Sequence, residues 1–532
     1  MSISKFTIFL IFGLLASITL FGQVLSESNL PIVIINTNGL EIMHDDRITA
    51  DLGIIFNGTG QVNHIEDPWN NYNGKISIEL RGNTSLSFPK KSYSFETQDE
   101  NGNNLNTPLA GLPEENDWIL YGPYSDKSLM RNVITYELAR RMGQYAPRTR
   151  FCEVILNDEY TGVSVLIEKI KQDENRLDIA KLTENDTIGD DLTGGYILRI
   201  DRHSGEGWSS SYTQYVYYEF WDPDDNAILP IQQNYIHQYV DSVETAIYNL
   251  PVTSDSLIQK LIDVDAFCDF IISSELAKNV DAYRLSTYLH KDKDSNNGGL
   301  KLGPLWDFNI AYGNCHDFNG YHPENFMYSY TNFIDYRPFY VKKLMEQPFF
   351  INEIRCKWEM FREYTLSENS IISLIDSCAL VLNEAQQRNF EKWDILGNYV
   401  WPNYYIGEDY NEEIELLKNW IYQRLYWMDV FLPGECPQNY VDLNEDKTLV
   451  IFPNPFVNLL RLKFNKPNFN TAELQLFDCF GQLITKRTIN SIEDEATITI
   501  FIDYENVSNG FYFWKLIADD KTNYSGKLIR RK

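Results

Sequence analysis

The chain has 532 residues, with 46 Lys+Arg against 75 Asp+Glu and a formal net charge of −29. It offers no sustained basic face for nucleic-acid phosphates or an anionic leaflet, which excludes a nucleic-acid-binding role. At 43% hydrophobic and 14% aromatic residues, a chain of this length supports two or three domains with large cores, so disorder is excluded for most of it.

Lys5 precedes the apolar run from Phe6 to Phe21, and Gly22-Gln23 opens a polar stretch. This is the order of a secretory signal peptide over residues 1–23, with cleavage expected near Gly22 or Gln23. A membrane anchor is the alternative reading, although a run of about 16 residues is shorter than the roughly 20 that span a bilayer. No later segment is apolar enough to cross, so the mature chain is expected to lack a transmembrane segment. The seven cysteines are far apart with no C-x-x-C pair, which argues against a zinc site and leaves any disulfide pairing open.

Short alternating runs from 31 to 100, such as Ile76-Ser77-Ile78-Glu79-Leu80, predict strands separated by Asn/Gly turns. From Ser125 to Met142 the apolar spacing becomes helical, with Ser125 or Asp126 as cap. A hairpin is predicted over 151–167 and a strand over 196–200. A long helix is predicted over 254–279, then strands over Thr287–His290 and Leu300–Trp306. Residues 335–432 read as helical almost throughout. Leu432-Pro433-Gly434 breaks the pattern, residues 433–448 read as a linker, and 449–532 as a small all-β sandwich. The predicted class is α+β, with a β-rich N-terminal part, a helical lobe and a terminal β domain.

The terminal segment spells Phe452-Pro453-Asn454-Pro455-Phe456, Leu476 to Gln482, Asn509-Gly510-Phe511-Tyr512-Phe513 and Gly526-Lys527-Leu528-Ile529. These four motifs, in this order at the terminus, resemble the type A C-terminal sorting domain of the type IX secretion system. The resemblance implies the type IX machinery as a partner. It also implies passage through the periplasm of a Gram-negative bacterium to the outer surface or the medium.

Two acidic positions stand out. Asn279-Val280-Asp281 ends a helix ahead of one predicted strand, and Trp306-Asp307-Phe308-Asn309 ends the next. An Asp in a loop, a polar residue five later, a β-hairpin and then Asp-Phe-x is the layout used for phosphoryl transfer, where one Asp takes the hydroxyl proton and the other holds a metal. Helix caps and turns also favour Asp, so the pattern alone leaves both readings open.

Arg81-Gly82-Asn83, Phe88-Pro89-Lys90-Lys91, Asp126, Leu129-Met130-Arg131-Asn132, Tyr160-Thr161-Gly162, Leu166-Ile167-Glu168 and the two Asp motifs together resemble the CotH (spore coat protein H) kinase family over residues 31–432. The resemblance implies an atypical protein-kinase-like fold that uses ATP and Mg²⁺ or Mn²⁺ to phosphorylate Ser/Thr hydroxyls of a protein substrate. Carried over by motif, Asp281 is the catalytic Asp, Asp307 the metal Asp and Asn309 a second ligand or organiser. Ser286 takes the place where kinases carry a metal-binding Asn. Lys91, or else Lys90, is the phosphate cation, Arg81 lies on the same nucleotide-binding turn, and Glu168 is the charge partner of the lysine. Ser286 departs from the kinase pattern, and no G-x-G-x-x-G loop is present. A non-catalytic surface adhesion protein on the same fold is the competing reading, and a different group transfer is a third.

Overall fold

The computed structural model describes residues 25–224, 226–250, 252, 254–330, 336–436, 449–452, 459–464, 471–478, 482–490, 497–501, 510–519 and 523–530. The expected signal peptide and residues 437–448 of the expected linker lie outside them. The chain divides into two compact units, Met1–Cys436 and Pro437–Lys532.

The first unit opens with a closed barrel of seven strands: β1 (Ile32–Asn36), β2 (Ile48–Ile55), β3 (Tyr72–Arg81), β4 (Ser92–Gln98), β5 (Asp117–Tyr121), β6 (Thr149–Leu156) and β7 (Glu159–Glu168). Neighbours pair antiparallel in the order β6-β7-β5-β4-β3-β2-β1, and a parallel pairing of β6 with β1 closes the ring. Strand alternation sorts side chains between two cores. Trp118 and Leu120 of β5 and Leu166 of β7 fill the barrel with Ile76, Ile78 and Phe95. Ile119, Val163, Val165 and Ile167 face outward into the helical core. A run apolar on both faces, such as Val163-Ser164-Val165-Leu166-Ile167, belongs on a strand covered on both sides.

A second, five-stranded antiparallel sheet runs in the order β9-β10-β8-β11-β12, from β8 (Tyr196–Ile200), β9 (Gly207–Ser209), β10 (Tyr217–Asp222), β11 (Thr287–Lys291) and β12 (Lys301–Leu302). The helices α1 (Arg131–Arg141), α2 (Pro230–Tyr248), α3 (Asp255–Leu261), α4 (Val264–Ala277), α5 (Phe339–Leu344), α6 (Pro348–Glu363), α7 (Glu368–Leu382), α8 (Ala385–Lys392) and α9 (Tyr410–Phe431) share one continuous core with this sheet and the outer face of the barrel. The observed class is α+β.

Three local expectations are corrected. The single helix over 254–279 is two, α3 and α4, because the backbone at Leu261–Asp263 pairs instead with Leu300: Leu300 N–H donates to Leu261 C=O and Asp263 N–H to Leu300 C=O, each at 2.9 Å. Asp263 then caps α4, accepting from Ala266 N–H at 2.9 Å. The strand expected to reach Trp306 stops at Leu302, where Gly303 at φ 113 turns the chain and Pro304 brings no N–H for a ladder. The first helix begins only at Arg131, because Leu129 lies in the left-handed region. Asp126 still serves it from outside, its Oδ2 accepting from Arg131 N–H at 2.9 Å.

Cys356 and Cys436 form a disulfide, while Cys152, Cys268, Cys315 and Cys378 are free and buried. Among the described residues no single helix is long and apolar enough to cross a membrane. The described residues of the second unit form two antiparallel sheets. One contains β13 (Leu449–Phe452), β14 (Leu459–Phe464) and β17 (Thr497–Phe501); the other contains β15 (Thr471–Asp478), β16 (Leu483–Asn490), β18 (Gly510–Ala518) and β19 (Asn523–Arg530). Leu462 of the first and Leu474, Leu476, Leu516 and Leu528 of the second meet in one core.

Candidate active site

Helix α4 ends at Lys278, a left-handed cap at φ 44 whose Nζ donates to the carbonyls of Asn319, His322 and Glu324 at 2.8, 2.8 and 2.6 Å. Beyond it Asn279 joins two loops. Its Oδ1 accepts from Asp281 N–H at 3.1 Å and its Nδ2 donates to Asp307 C=O at 3.3 Å. The Asp307 loop is also pinned from α1, with Asp307 N–H donating to Tyr136 OH at 3.0 Å and Phe308 N–H to Asn132 Oδ1 at 2.7 Å. The Asp281 and Asp307 loops, 26 residues apart in sequence, are therefore held as one assembly.

Tyr283, Ser286, Asp307 and Tyr312 all lie at positive φ (71, 49, 63 and 51). Asp tolerates this region, whereas a bulky Tyr does so at a cost. With Asn297 at φ 57, five non-glycine residues within thirty positions mark a segment that the surrounding packing over-determines, as is common where geometry serves chemistry.

The electrostatics are unusual for two carboxylates. Burial first, then the Asp281 charge, raises Asp307 to about 6; Asp201 adds to the rise, and Arg81 and Arg202 oppose it. Burial likewise raises Asp281, against Arg284, Arg202 and Arg337. Arg284 is ion-paired with the Asp281 carboxylate. Arg81, at the end of β3, places its guanidinium 5.1 Å above the Trp306 ring. Arg202 Nη1 donates to Asn83 Oδ1 at 3.2 Å, tying the Gly82 turn to the loop after β8. A cationic lining and two carboxyls raised by burial form a site that a divalent cation and phosphate oxygens would neutralise.

Of the expected residues, the structure brings Asp281, Asp307 and Arg81 together. The Asn309 side chain lies at the Tyr121 hydroxyl, which also feels the charge of Asp307. Ser286 sits in its strained turn just before β11, and no contact among the described residues places it on either carboxylate. Lys90 is not brought to the carboxylates. It is 3% exposed, its Nζ donates to Asn389 Oδ1 at 2.7 Å, and burial lowers its pKa to about 7. Lys91 Nζ donates to Leu86 C=O at 2.7 Å, bracing the turn after Gly82. The expected pairing of Glu168 with a lysine is corrected, since the buried Glu168 carboxylate is held by Arg176 at 2.5 Å, Arg148 at 2.8 Å and the Tyr145 hydroxyl at 3.2 Å. Arg202 and Asp201 escaped the sequence reading, where the signal available was Asp201-Arg202 directly after a predicted strand; Asn279 entered it as part of a motif but without its bridging role.

Among the described residues no three His, Cys, Asp or Glu side chains gather into an all-protein metal cage. The donor set fits a hard cation of another kind. Mg²⁺ and Mn²⁺ with nucleotides take one or two carboxylates and draw the remaining ligands from phosphate and water, and Asp307 and Asp281 are the carboxylates that would hold such an ion.

The profile of the CotH kinase protein family matches residues 78–428, more than half of the chain, and the chain belongs to that family. The profile of the secretion system C-terminal sorting domain matches residues 450–531. The chain thus carries the terminal domain that directs secretion by the type IX system to the cell surface or extracellular space. The inner spore coat protein H of Bacillus subtilis (strain 168) is 24% identical over 241 residues, 45% of this chain and 59% of that protein. The chain therefore matches about 59% of the length of that curated relative. A DUF3244 family protein with an immunoglobulin-like β-sandwich fold from Bacteroides vulgatus is 19% identical, covering 16% of this chain and 85% of that one, with a TM-score of 0.14. Latent PorU from Porphyromonas gingivalis is also 19% identical, covering 15% of this chain and 9% of that one, with a TM-score of 0.14.

Proposed function

We propose that the first unit is a kinase-like phosphotransferase, acting outside the cytoplasm, that moves the γ-phosphoryl group of ATP to a Ser or Thr hydroxyl of a protein. The observation that carries this reading is the Asn279-bridged pair of Asp281 and Asp307, whose carboxyls are raised by burial and lie beside Arg81 and Arg202. In the transfer, a bond forms between the acceptor oxygen and the γ-phosphorus. The bond between that phosphorus and the β,γ-bridging oxygen breaks, ADP leaves, and the hydroxyl proton passes to the Asp281 carboxylate. The raised affinity of Asp281 for a proton suits it to that step. A Mg²⁺ or Mn²⁺ ion, when bound, neutralises phosphate charge, and Asp307 is the residue to hold it, with Asn309 beside it. Arg81 and Arg202 offer donors to phosphate oxygens, and the 82–87 turn, braced by Lys91, covers that side of the site.

The test is labelled transfer from γ-labelled ATP to protein with Mg²⁺ or Mn²⁺, alongside nucleotide affinity. Asp281→Ala is expected to lower transfer by about 10² to 10⁴-fold while sparing ATP binding. Asp307→Asn is expected to weaken the metal dependence of that binding. Transfer by Asp281→Ala at the wild-type rate would remove Asp281 from the chemistry. A wild-type protein that binds no nucleotide would leave the surface adhesion reading in its place.

A further inference from the structure

A cavity of about 300 Å³ lies beside the Asp281 loop, which its lining residue Arg337 touches at Ala282. Its wall is aromatic. Tyr212, Tyr248 and Phe339 pack on one another with ring centroids 4.7 to 5.9 Å apart, and Tyr328 and Tyr330 complete the lining. Its polar groups are cationic: Arg337, Lys342 and Lys343 line it against a single carboxylate, that of the exposed Glu346. In a chain of net charge −29, three cations around one cavity run against the general field.

The three cations differ in how far they are satisfied. Lys343 donates to the Tyr248 and Leu250 carbonyls. Lys342 has no ion-pair or hydrogen-bond partner among the described residues. Arg337 is 4% exposed, donating Nε to Ala282 C=O and Nη1 to Tyr330 C=O at 3.3 Å each. Its Nη2 is buried with no hydrogen-bond partner among the described residues. A buried guanidinium normally completes its donors, because an unpaired buried donor costs about 1–3 kcal/mol. Arg337 feels the Glu275 and Asp281 carboxylates, so what it lacks is an acceptor at Nη2, while the ammonium of Lys342 brings the charge left without a partner among the described residues.

We propose that this pocket binds a phosphomonoester carried on a polypeptide, with Arg337 and Lys342 on the phosphate and the tyrosine wall against the chain that bears it. Arginine takes phosphate through paired donors and lysine adds a point charge. The choice of a phosphomonoester over another anion rests on the phosphotransferase reading, since a protein already modified by such an enzyme presents that group. Arg337 also touches the Asp281 loop through Ala282, so a docked phosphoresidue would sit on the element that presents the next hydroxyl to Asp281.

The experiment measures binding of a fluorescent phosphoserine peptide, its unphosphorylated twin and inorganic phosphate to the full chain. The phosphopeptide is expected to bind at least tenfold tighter than its twin and than inorganic phosphate. Lys342→Glu, at a half-buried position, is expected to weaken it at least tenfold with an unchanged thermal midpoint, and Arg337→Gln is expected to weaken it in whatever fraction remains folded. Equal binding of the twin, or wild-type affinity in Lys342→Glu, overturns the proposal. Equal affinity for inorganic phosphate overturns the polypeptide source in favour of a free anion. Asp307→Asn is expected to bind the phosphopeptide normally, so a failure of the catalytic reading and a failure of this one are read separately.

Discussion

Lys90 and Asp307 show how burial acts on opposite charges. Burial lowers Lys90 to about 7 and raises Asp307 to about 6, in each case against the charged form. For Lys90 the consequence is a pH-dependent stability. Its folded value lies below the unfolded 10.5, so between about pH 7 and 10.5 the unfolded chain binds more protons. Stability from this site therefore rises with pH across that window, and the full penalty is present below it. Lys90→Met is expected to stabilise most near pH 6 to 7, by an amount on the order of several kcal/mol, with the gain fading toward pH 10.5. Asn389 Oδ1 keeps its other donor, Val163 N–H at 3.1 Å, so the substitution leaves no orphaned acceptor there. Denaturant unfolding at pH 6.5 and 9.5 checks it, and a pH-independent difference would contradict the burial argument.

At the scale of elements, the 82–87 turn has an exacting position beside the site. Gly82 sits at φ 118, and a Cβ there would lie 2.0 Å from Ser85 Oγ. Rotating Ser85 relieves the contact but leaves the backbone cost of about 1–3 kcal/mol. Gly82→Ala is expected to displace Asn83 from Arg202 and weaken nucleotide binding about tenfold, roughly 1.4 kcal/mol, with global stability lowered by no more than that backbone cost. Calorimetric titration with ATP and Mn²⁺ reads this directly; unchanged affinity would mean the turn does not cover the nucleotide. Element types along the chain were legible from period, as in the alternation of Ile76 to Leu80 and the helical spacing after 335. The break at Ile262 was not, because it depends on Leu300, distant in sequence, whereas the stop at Leu302 was written locally in Gly303-Pro304 and went unread.

At the scale of the whole molecule, the Cys356–Cys436 disulfide ties α6 to the last residue of the first unit across 80 residues. Closing a loop of that size stabilises by about 2 to 4.5 kcal/mol in a chain-entropy account. A paired Cys356→Ser, Cys436→Ser variant is expected to unfold at lower denaturant, as does reduced wild type; a midpoint insensitive to reductant would show that the bridge contributes nothing. Removing residues after 448 is expected to leave the first unit folded and retained in the periplasm, read by fractionation and surface labelling. Arrival of the truncated chain at the surface would contradict the sorting role of the tail.

The sequence by itself determined the family, the terminal sorting domain, the α+β class and the prominence of Asp281 and Asp307, because these are written in local motifs and in periods of two and 3.6. Only the tertiary structure decided which charges meet. It buried Lys90 against Asn389, gave Glu168 to Arg176, and set Arg81 and Arg202 beside the carboxylates, with Asn279 bridging the two loops. The physical reason is that a lysine near a glycine turn looks the same in sequence whether it ends beside a phosphate site or inside a wall. Coulomb and desolvation energies depend on distances between residues up to some 300 positions apart, as between Lys90 and Asn389, and packing alone fixes those distances.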